Sequence, residues 1–228
     1  MSIGVVTVAY GSAYQRFLPE WAQAVAKLNT PPEQVTIICD TISAEHLDML
    51  ESTIRTCNVR VMLSLTVPEH HPQILVNEAI AATSTEWICK MDVDDIILPY
   101  ALDKVANCQA DVLMFGIVMS VWNADGTPKI PHSHVPMLAQ KVTAQQIAQS
   151  PHNLVFSGSP FRKTVWEKAP FRDMIYEDWA FWIEAAKNGA QFAQTDSLDY
   201  EYRIHDKNIS MWCDDAAAKQ KIEAIRCL

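Results

Sequence analysis

Apolar runs alternate with stretches of helical spacing from the first residues onward, the pattern of βαβ units around a mainly parallel sheet. Ile3 to Val8 is rich in β-branched residues, suits a strand buried on both faces, and stops at Ala9-Tyr10-Gly11-Ser12. Ser12 to Leu28 has helical spacing with Phe17, Trp21, Val25 and Leu28 on one face. Pro31-Pro32 breaks the chain before a second strand, Val35 to Cys39, that ends at Asp40. The pattern then predicts a helix over 46–55, a strand over 59–65, a helix over 73–83 and a fourth strand over 87–91. Ligands of open α/β sheets gather outside the carboxyl ends of the strands, here Tyr10, Asp40, the His70-His71-Pro72 loop and Asp92.

The second half is less regular. Val112 to Val121 is strand-like, Asn123 to Pro128 is a turn, and 132–149 predicts a loop and short helix placed to line an acceptor site. Ser157-Gly158-Ser159-Pro160 forms another turn, followed by a short helix near 164–168. Glu177 to Asn188 is an amphipathic helix with Trp179, Trp182, Ile183 and Ala186 as its apolar face and Gly189 closing it. Tyr200 to Arg203 is strand-like, and 214–228 is a polar helix. One domain is expected, with 1–99 and 100–213 as its two halves and 214–228 as the final helix.

The chemistry concentrates in Lys90-Met91-Asp92-Val93-Asp94-Asp95, where three carboxylates follow the apolar Trp87-Ile88-Cys89. Carboxylates this close repel unless neutralised, and a hard divalent ion carrying a phosphate is one neutraliser at the end of a buried strand. On an extended segment Asp92 and Asp94 would share one side, opposite Val93 and Asp95. The alternative is a solvated acidic turn leading into a helix opened by Pro99 and capped by Asp95. Glu177-Asp178 carries a similar ambiguity: the pair either complements a helix N-terminus or is aimed into a cleft as a base.

Composition narrows the classes. A chain of 228 residues with 49% hydrophobic and 20% charged residues is globular rather than disordered. Its net charge of -9 disfavours holding nucleic acid by phosphate neutralisation. No apolar run approaches a membrane span, and Met1-Ser2-Ile3-Gly4 lacks the charged region of a signal peptide, so a cytoplasmic location is expected. The cysteines at 39, 57, 89, 108, 213 and 227 show no CxxC pairing and are expected as buried reduced thiols.

Taken together these features resemble a family 2 glycosyltransferase of the GT-A fold, an α/β architecture with a Rossmann-like, mainly parallel central sheet and a smaller acceptor-side subregion. The resemblance rests on the strand ending in Ala9-Tyr10, the Asp40 strand end, and Asn77 ahead of the run from Trp87 to Asp95. Tyr176-Glu177-Asp178-Trp179 and Tyr202-Arg203-Ile204-His205, with Asn208 and Ser210, complete it.

The resemblance implies inverting transfer of a sugar from a nucleotide-diphospho-sugar, a UDP-sugar by expectation, to a hydroxyl acceptor with Mn²⁺ or Mg²⁺. The acceptor would be a glycan, a lipid-linked sugar or, in a minority of such enzymes, a modified nucleobase. By resemblance Asp40 meets the base, Asp92 the ribose, and Ala9, Tyr10, His71, Asn77, Lys90, Val93 and Arg203 complete the donor site. Asp94 holds the metal of the acidic DXD motif, with His205 as a further ligand or diphosphate contact. Asp178 is the general base, with Glu177, Trp179, Ser157 and Gly158 on the acceptor side. The chain departs from the family pattern after Asp40, where Thr41-Ile42-Ser43 replaces an acidic residue and glycine, and at 70–72, which lacks glycine and arginine. Two other classes fit less of the sequence. A sugar-1-phosphate nucleotidyltransferase would want a basic glycine-rich loop after the first strand. A non-catalytic sugar-nucleotide-binding module has no need of both acidic motifs.

Overall fold

In the computed structural model of the protein, residues 1–55, 57–63, 72–123, 127, 129, 135–205, 208 and 216–227 are described. Four parallel strands form one side of a single sheet: β1 (Ile3–Ala9), β2 (Gln34–Cys39), β3 (Asn58–Leu63) and β4 (Trp87–Lys90). Their order is β3-β2-β1-β4, and the sheet continues through β8 (Phe161–Arg162), β6 (Val112–Val121), β9 (Phe192–Ile204) and β5 (Ile96–Ile97). A short strand, β7 (Val135–Met137), pairs with β6 off this path. The register sets Ala9 beside Cys39 and Val6 beside Lys90, so β1, β2 and β4 all point their carboxyl ends to one edge.

Burial explains the sheet. Every residue of β2 and all but Val8 of β1 are buried, as expected of central strands covered on both faces by helices. By contrast β3 is an edge strand with exposed positions, and its pairing is described only to Leu63.

One helix was expected over 12–28, and two are found, α1 (Ser12–Gln15) and α2 (Leu18–Ala26). Pro19 sits in the first turn of α2, where its missing N–H and ring prevent the helix from running through. The apolar face survives the break: Phe17, Trp21, Val25 and Leu28 are all buried. The second helix, α3 (Ala44–Thr53), starts earlier than expected because the Ser43 hydroxyl accepts from the His46 N–H at 3.1 Å. A 3₁₀ turn over Pro72–Leu75 leads into α4 (Val76–Ala81). Pro99 opens no α-helix; a 3₁₀ segment, Ala101–Asn107, follows Tyr100, and Asp95 caps nothing.

Beyond β6 come α5 (Ala144–Gln149), α6 (Lys163–Lys168) and α7 (Glu177–Lys187), which buries Trp182, Ile183 and Ala186. Gly189, at φ 84°, ends α7 as the sequence predicts. The last helix, Ala216–Cys227, packs Ile222 and Ile225 against Ala180 and Ile183 of α7. The last strand is far longer than expected, because β9 runs parallel to β6 from Phe192 to Ile204, with register shifts near Gly116. Among the described residues no helix is long and apolar enough to cross a membrane.

Candidate active site

At the carboxyl edge of the parallel strands lies a cavity of about 360 Å³. Tyr10 after β1, the Lys90–Asp95 run after β4, Ser157 and the start of α7 from Tyr176 to Trp179 all line it. Two acidic segments far apart in sequence therefore face one space.

The acidic run is a turn and not an extended segment. The Asp95 N–H donates to the Asp92 carbonyl at 3.1 Å, so the expected alternation, with Asp92 and Asp94 on one side and Val93 and Asp95 on the other, does not hold. Instead β9 pins the turn: the Arg203 N–H donates to Asp95 Oδ1 at 2.8 Å, and the Arg203 side chain donates to the Asp94 carbonyl. Asp95 is buried, and burial followed by the charges of Asp94 and Asp92 pushes its carboxyl well above the ordinary range.

Pinning the turn to β9 also delivers His205 to Asp94, with Nε2 at 3.0 Å from Asp94 Oδ2. The imidazole is held by a stack on Phe17, 5.3 Å between centroids, and by its backbone N–H donating to Asn208. A carboxylate oxygen beside a ring nitrogen suits Mn²⁺ better than Mg²⁺, and metals in phosphate sites need only one or two protein ligands besides the substrate. Among the described residues no cluster of three or more His, Cys, Asp or Glu ligands forms. Asp94 lines the cavity and the buried His205 stands behind it, so an ion there would rest on the Asp94 carboxylate with the imidazole beside it.

Asp92 is held differently. Ser157 donates to its Oδ2 and Lys90 Nζ to its Oδ1, both at 2.7 Å, while the Tyr200 hydroxyl accepts from its backbone N–H at 3.1 Å. Lys90 is buried and reaches Glu177 at 3.5 Å. Burial alone would lower its pKa, but Asp92, Glu177 and Asp178 together raise it, so the ammonium stays charged. Glu177, also buried, is lifted to about 7 by desolvation against the pull of Lys90. Asp178 accepts from Asn153 Nδ2 at 2.9 Å and the Trp179 N–H at 2.8 Å, and burial raises its carboxyl despite Lys90. Tyr176 opens this helix at φ 66°, a left-handed conformation that a bulky residue adopts only under constraint.

The pH behaviour of this cluster follows. Between its usual 4.5 and about 7, folding retains a proton on Glu177 that the unfolded chain releases. Stability from this group is therefore full below 4.5 and is lost as the pH rises towards 7. Glu177→Gln is expected to flatten that slope in melts across the window.

Several residues sit elsewhere than the resemblance implies. Asn77 does not line the cavity: its Nδ2 donates to the Phe171 carbonyl at 2.8 Å, and its Oδ1 accepts from Trp166 Nε1 at 2.7 Å and the Phe171 N–H at 3.0 Å. It ties α4 to the segment after α6. Asn77→Ala should cost roughly 1–3 kcal/mol by leaving part-buried donors unpaired, measurable as a denaturation midpoint. Arg203 faces inward, over Phe17 at 5.3 Å and Trp122 at 4.7 Å with Nη1 2.5 Å from Glu20, so it organises the acidic turn and is not presented to a phosphate in the cavity. Lys90 does line the cavity, where its ammonium is shared by Asp92 and Glu177. Ala9 is buried in the core, and Asp40 receives the Gly11 N–H at 2.9 Å and Gln15 Nε2 at 3.0 Å outside the cavity. Gly158, at φ 83°, lies against Tyr200, where an added Cβ would come within 2.6 Å of the ring. His71 lies outside the described residues.

Sequence reasoning overlooked Tyr14, Asn153 and Phe156 as cavity residues. Tyr14 has its hydroxyl pKa raised to about 12 by burial and then by Asp94 and Asp92. Neither Tyr14 nor Asn153 carries a local signal of the cavity.

This arrangement is a GT-A-like fold. The 1–349 fragment of TarS from S. aureus in complex with UDP-GlcNAc superimposes with a TM-score of 0.65 at 19% identity, covering 93% of this chain and 61% of that one. The same fragment with UDP gives 0.63 at 18% identity over 90% and 61%, and a longer TarS chain gives 0.64 at 20% identity over 90% and 37%. This chain therefore spans between 37% and 61% of the lengths of those structures. No family profile and no curated protein matches the sequence.

Proposed function

We propose that the protein is a metal-dependent, inverting glycosyltransferase that takes its sugar from a nucleotide-diphospho-sugar, UDP-linked, and passes it to a hydroxyl. One observation carries the proposal: a single cavity is lined by Asp94, backed by the buried His205 at 3.0 Å, and by Asp178 at a helix start, with Lys90 bridging the acidic segments. The fold shared with TarS bound to UDP-GlcNAc supports the nucleotide-sugar donor.

In this reading Asp94 and His205 hold Mn²⁺ or Mg²⁺, which would neutralise charge on the departing diphosphate. Asp92, oriented by Ser157 and Lys90, meets the ribose, and Tyr10 with Val93 bounds the donor. Asp178, aimed by Asn153 and the Trp179 N–H, takes the proton from the acceptor oxygen as that oxygen attacks the anomeric carbon from the face opposite the leaving group. The bond to the diphosphate breaks with its electrons on the leaving oxygen, and the configuration inverts. Ser157 and Trp179 line the acceptor side of the cavity.

The test is a panel of UDP-, GDP-, CMP- and TDP-sugars scored by melting temperature with and without Mn²⁺. A ligand that binds only the folded chain at a hundredfold excess over its Kd should add about 2.7 kcal/mol. The expected outcome is a manganese-dependent shift with UDP-sugars; equal shifts without metal, or none with any nucleotide, would overturn the reading.

A further inference from the structure

Beyond the carboxylates, the cavity wall is a sheet face with an unusual composition for a sugar site. The register of β6 sets Ile117 beside Tyr200 of β9 and Met137 of β7, and Met119 beside Tyr202 and Val135. Residues two apart on a strand share a face, so these form two cross-strand rows on one side of the sheet. Tyr200, Ile117, Met137, Tyr202 and Met119 all line the cavity that contains Asp178. The rows grade from a buried floor at Tyr200 and Ile117 to a rim at Met137 and Val135, which are 37% and 53% exposed. Leu138, next in the chain, is also exposed.

Resting on the transferase reading, we propose that this platform seats the acceptor, and that the acceptor is an alcohol carried on an aromatic ring. Tyr200 and Ile117 close the floor from beneath, and the row of Met119, Tyr202 and the rim at Met137 spans three strands about 4.8 Å apart, roughly 10 Å across, enough for one ring. Ile117, Met119, Met137 and Val135 offer no hydrogen-bond donor, and the Tyr200 hydroxyl is engaged with the Asp92 N–H and Asp95, which leaves Tyr202 as the platform's other hydroxyl. A bare glycan laid here would strip water from several hydroxyls without replacing it, each at about tenfold or more in affinity. Thioethers and a tyrosine ring are instead favourable neighbours for an aromatic face. The platform is continuous with the space before Asp178, so a ring seated on it can present its hydroxyl to that carboxylate. The side chains of the platform carry no formal charge, which matches a neutral ring.

The experiment measures binding of benzyl alcohol, hexan-1-ol and methyl β-glucoside by saturation-transfer NMR on the full chain with the diamagnetic Mg²⁺ and UDP. Benzyl alcohol is expected to bind about tenfold more tightly than methyl β-glucoside and clearly more tightly than hexan-1-ol, and Met137→Gln to weaken it by about fivefold or more. Met119→Gln provides a second variant, and circular dichroism melts establish that each is folded. Equal or tighter binding of hexan-1-ol or methyl β-glucoside, no binding of benzyl alcohol, or affinities unmoved in both variants would overturn the platform. The melting shift with UDP and Mn²⁺ is read separately: if it is present while the ring preference is absent, the acceptor assignment falls and the transferase reading stands.

Discussion

Asp178→Asn is expected to lower kcat by about 10²–10⁴-fold, because the amide cannot take the proton of the attacking hydroxyl. The substitution is nearly isosteric. The Trp179 N–H, which donates to Asp178 Oδ1, can still be accepted by the amide oxygen, so the helix start should persist. Asn153 would then face an amide in place of a charged oxygen, and a small loss of stability is expected. Donor affinity, which the proposed function assigns to the acidic turn after β4, should change little in equilibrium titrations with the nucleotide sugar. Full turnover by the variant would remove Asp178 from the chemistry and leave Glu177, lifted to about 7 and 3.5 Å from Lys90, as the base to test.

Asp94→Asn should act on the other half of the reaction. The substitution removes the anionic oxygen that faces His205 at 3.0 Å and the formal charge on which a divalent ion would rest. The expected result is loss of most of the manganese-dependent stabilisation by the donor. At a hundredfold excess over Kd, that stabilisation should appear in wild type as a shift of roughly 5–10 °C for a domain of this size. Calorimetric titration with Mn²⁺ alone adds a readout that does not require turnover. A variant that kept the wild-type shift would place the ion elsewhere. The two variants separate the donor from the acceptor: one should bind and not turn over, the other should fail at binding.

How much of this was legible in the chain varies by element. The strand at Ile3–Ala9 was plain because a run buried on both faces needs no partner information to be recognised. The start of α7 was legible as a motif, since acidic residues ahead of an apolar helical face have few uses. Single positions were less so. Asn77 and Arg203 both stand in segments that match the glycosyltransferase pattern, yet Asn77 bonds residues 94 positions away and Arg203 bonds Asp94 across 109. Asn153 and Tyr14 were invisible because nothing in their neighbours indicates a cavity.

The succession of the first four strands along the chain, the acidic run that follows β4 and the carboxylate pair that opens α7 are properties of the sequence itself. Each depends on the periodicity of apolar residues or on charges close together along the chain. The partner of each charge was decided only by the folded sheet: β9 brings His205 to Asp94 across 111 residues, and the buried Lys90 joins Asp92 to Glu177. The physical reason is that desolvation and pairing depend on distance through space. A lysine's place in the sequence says it is charged, but only its burial between two carboxylates says which charges it holds together.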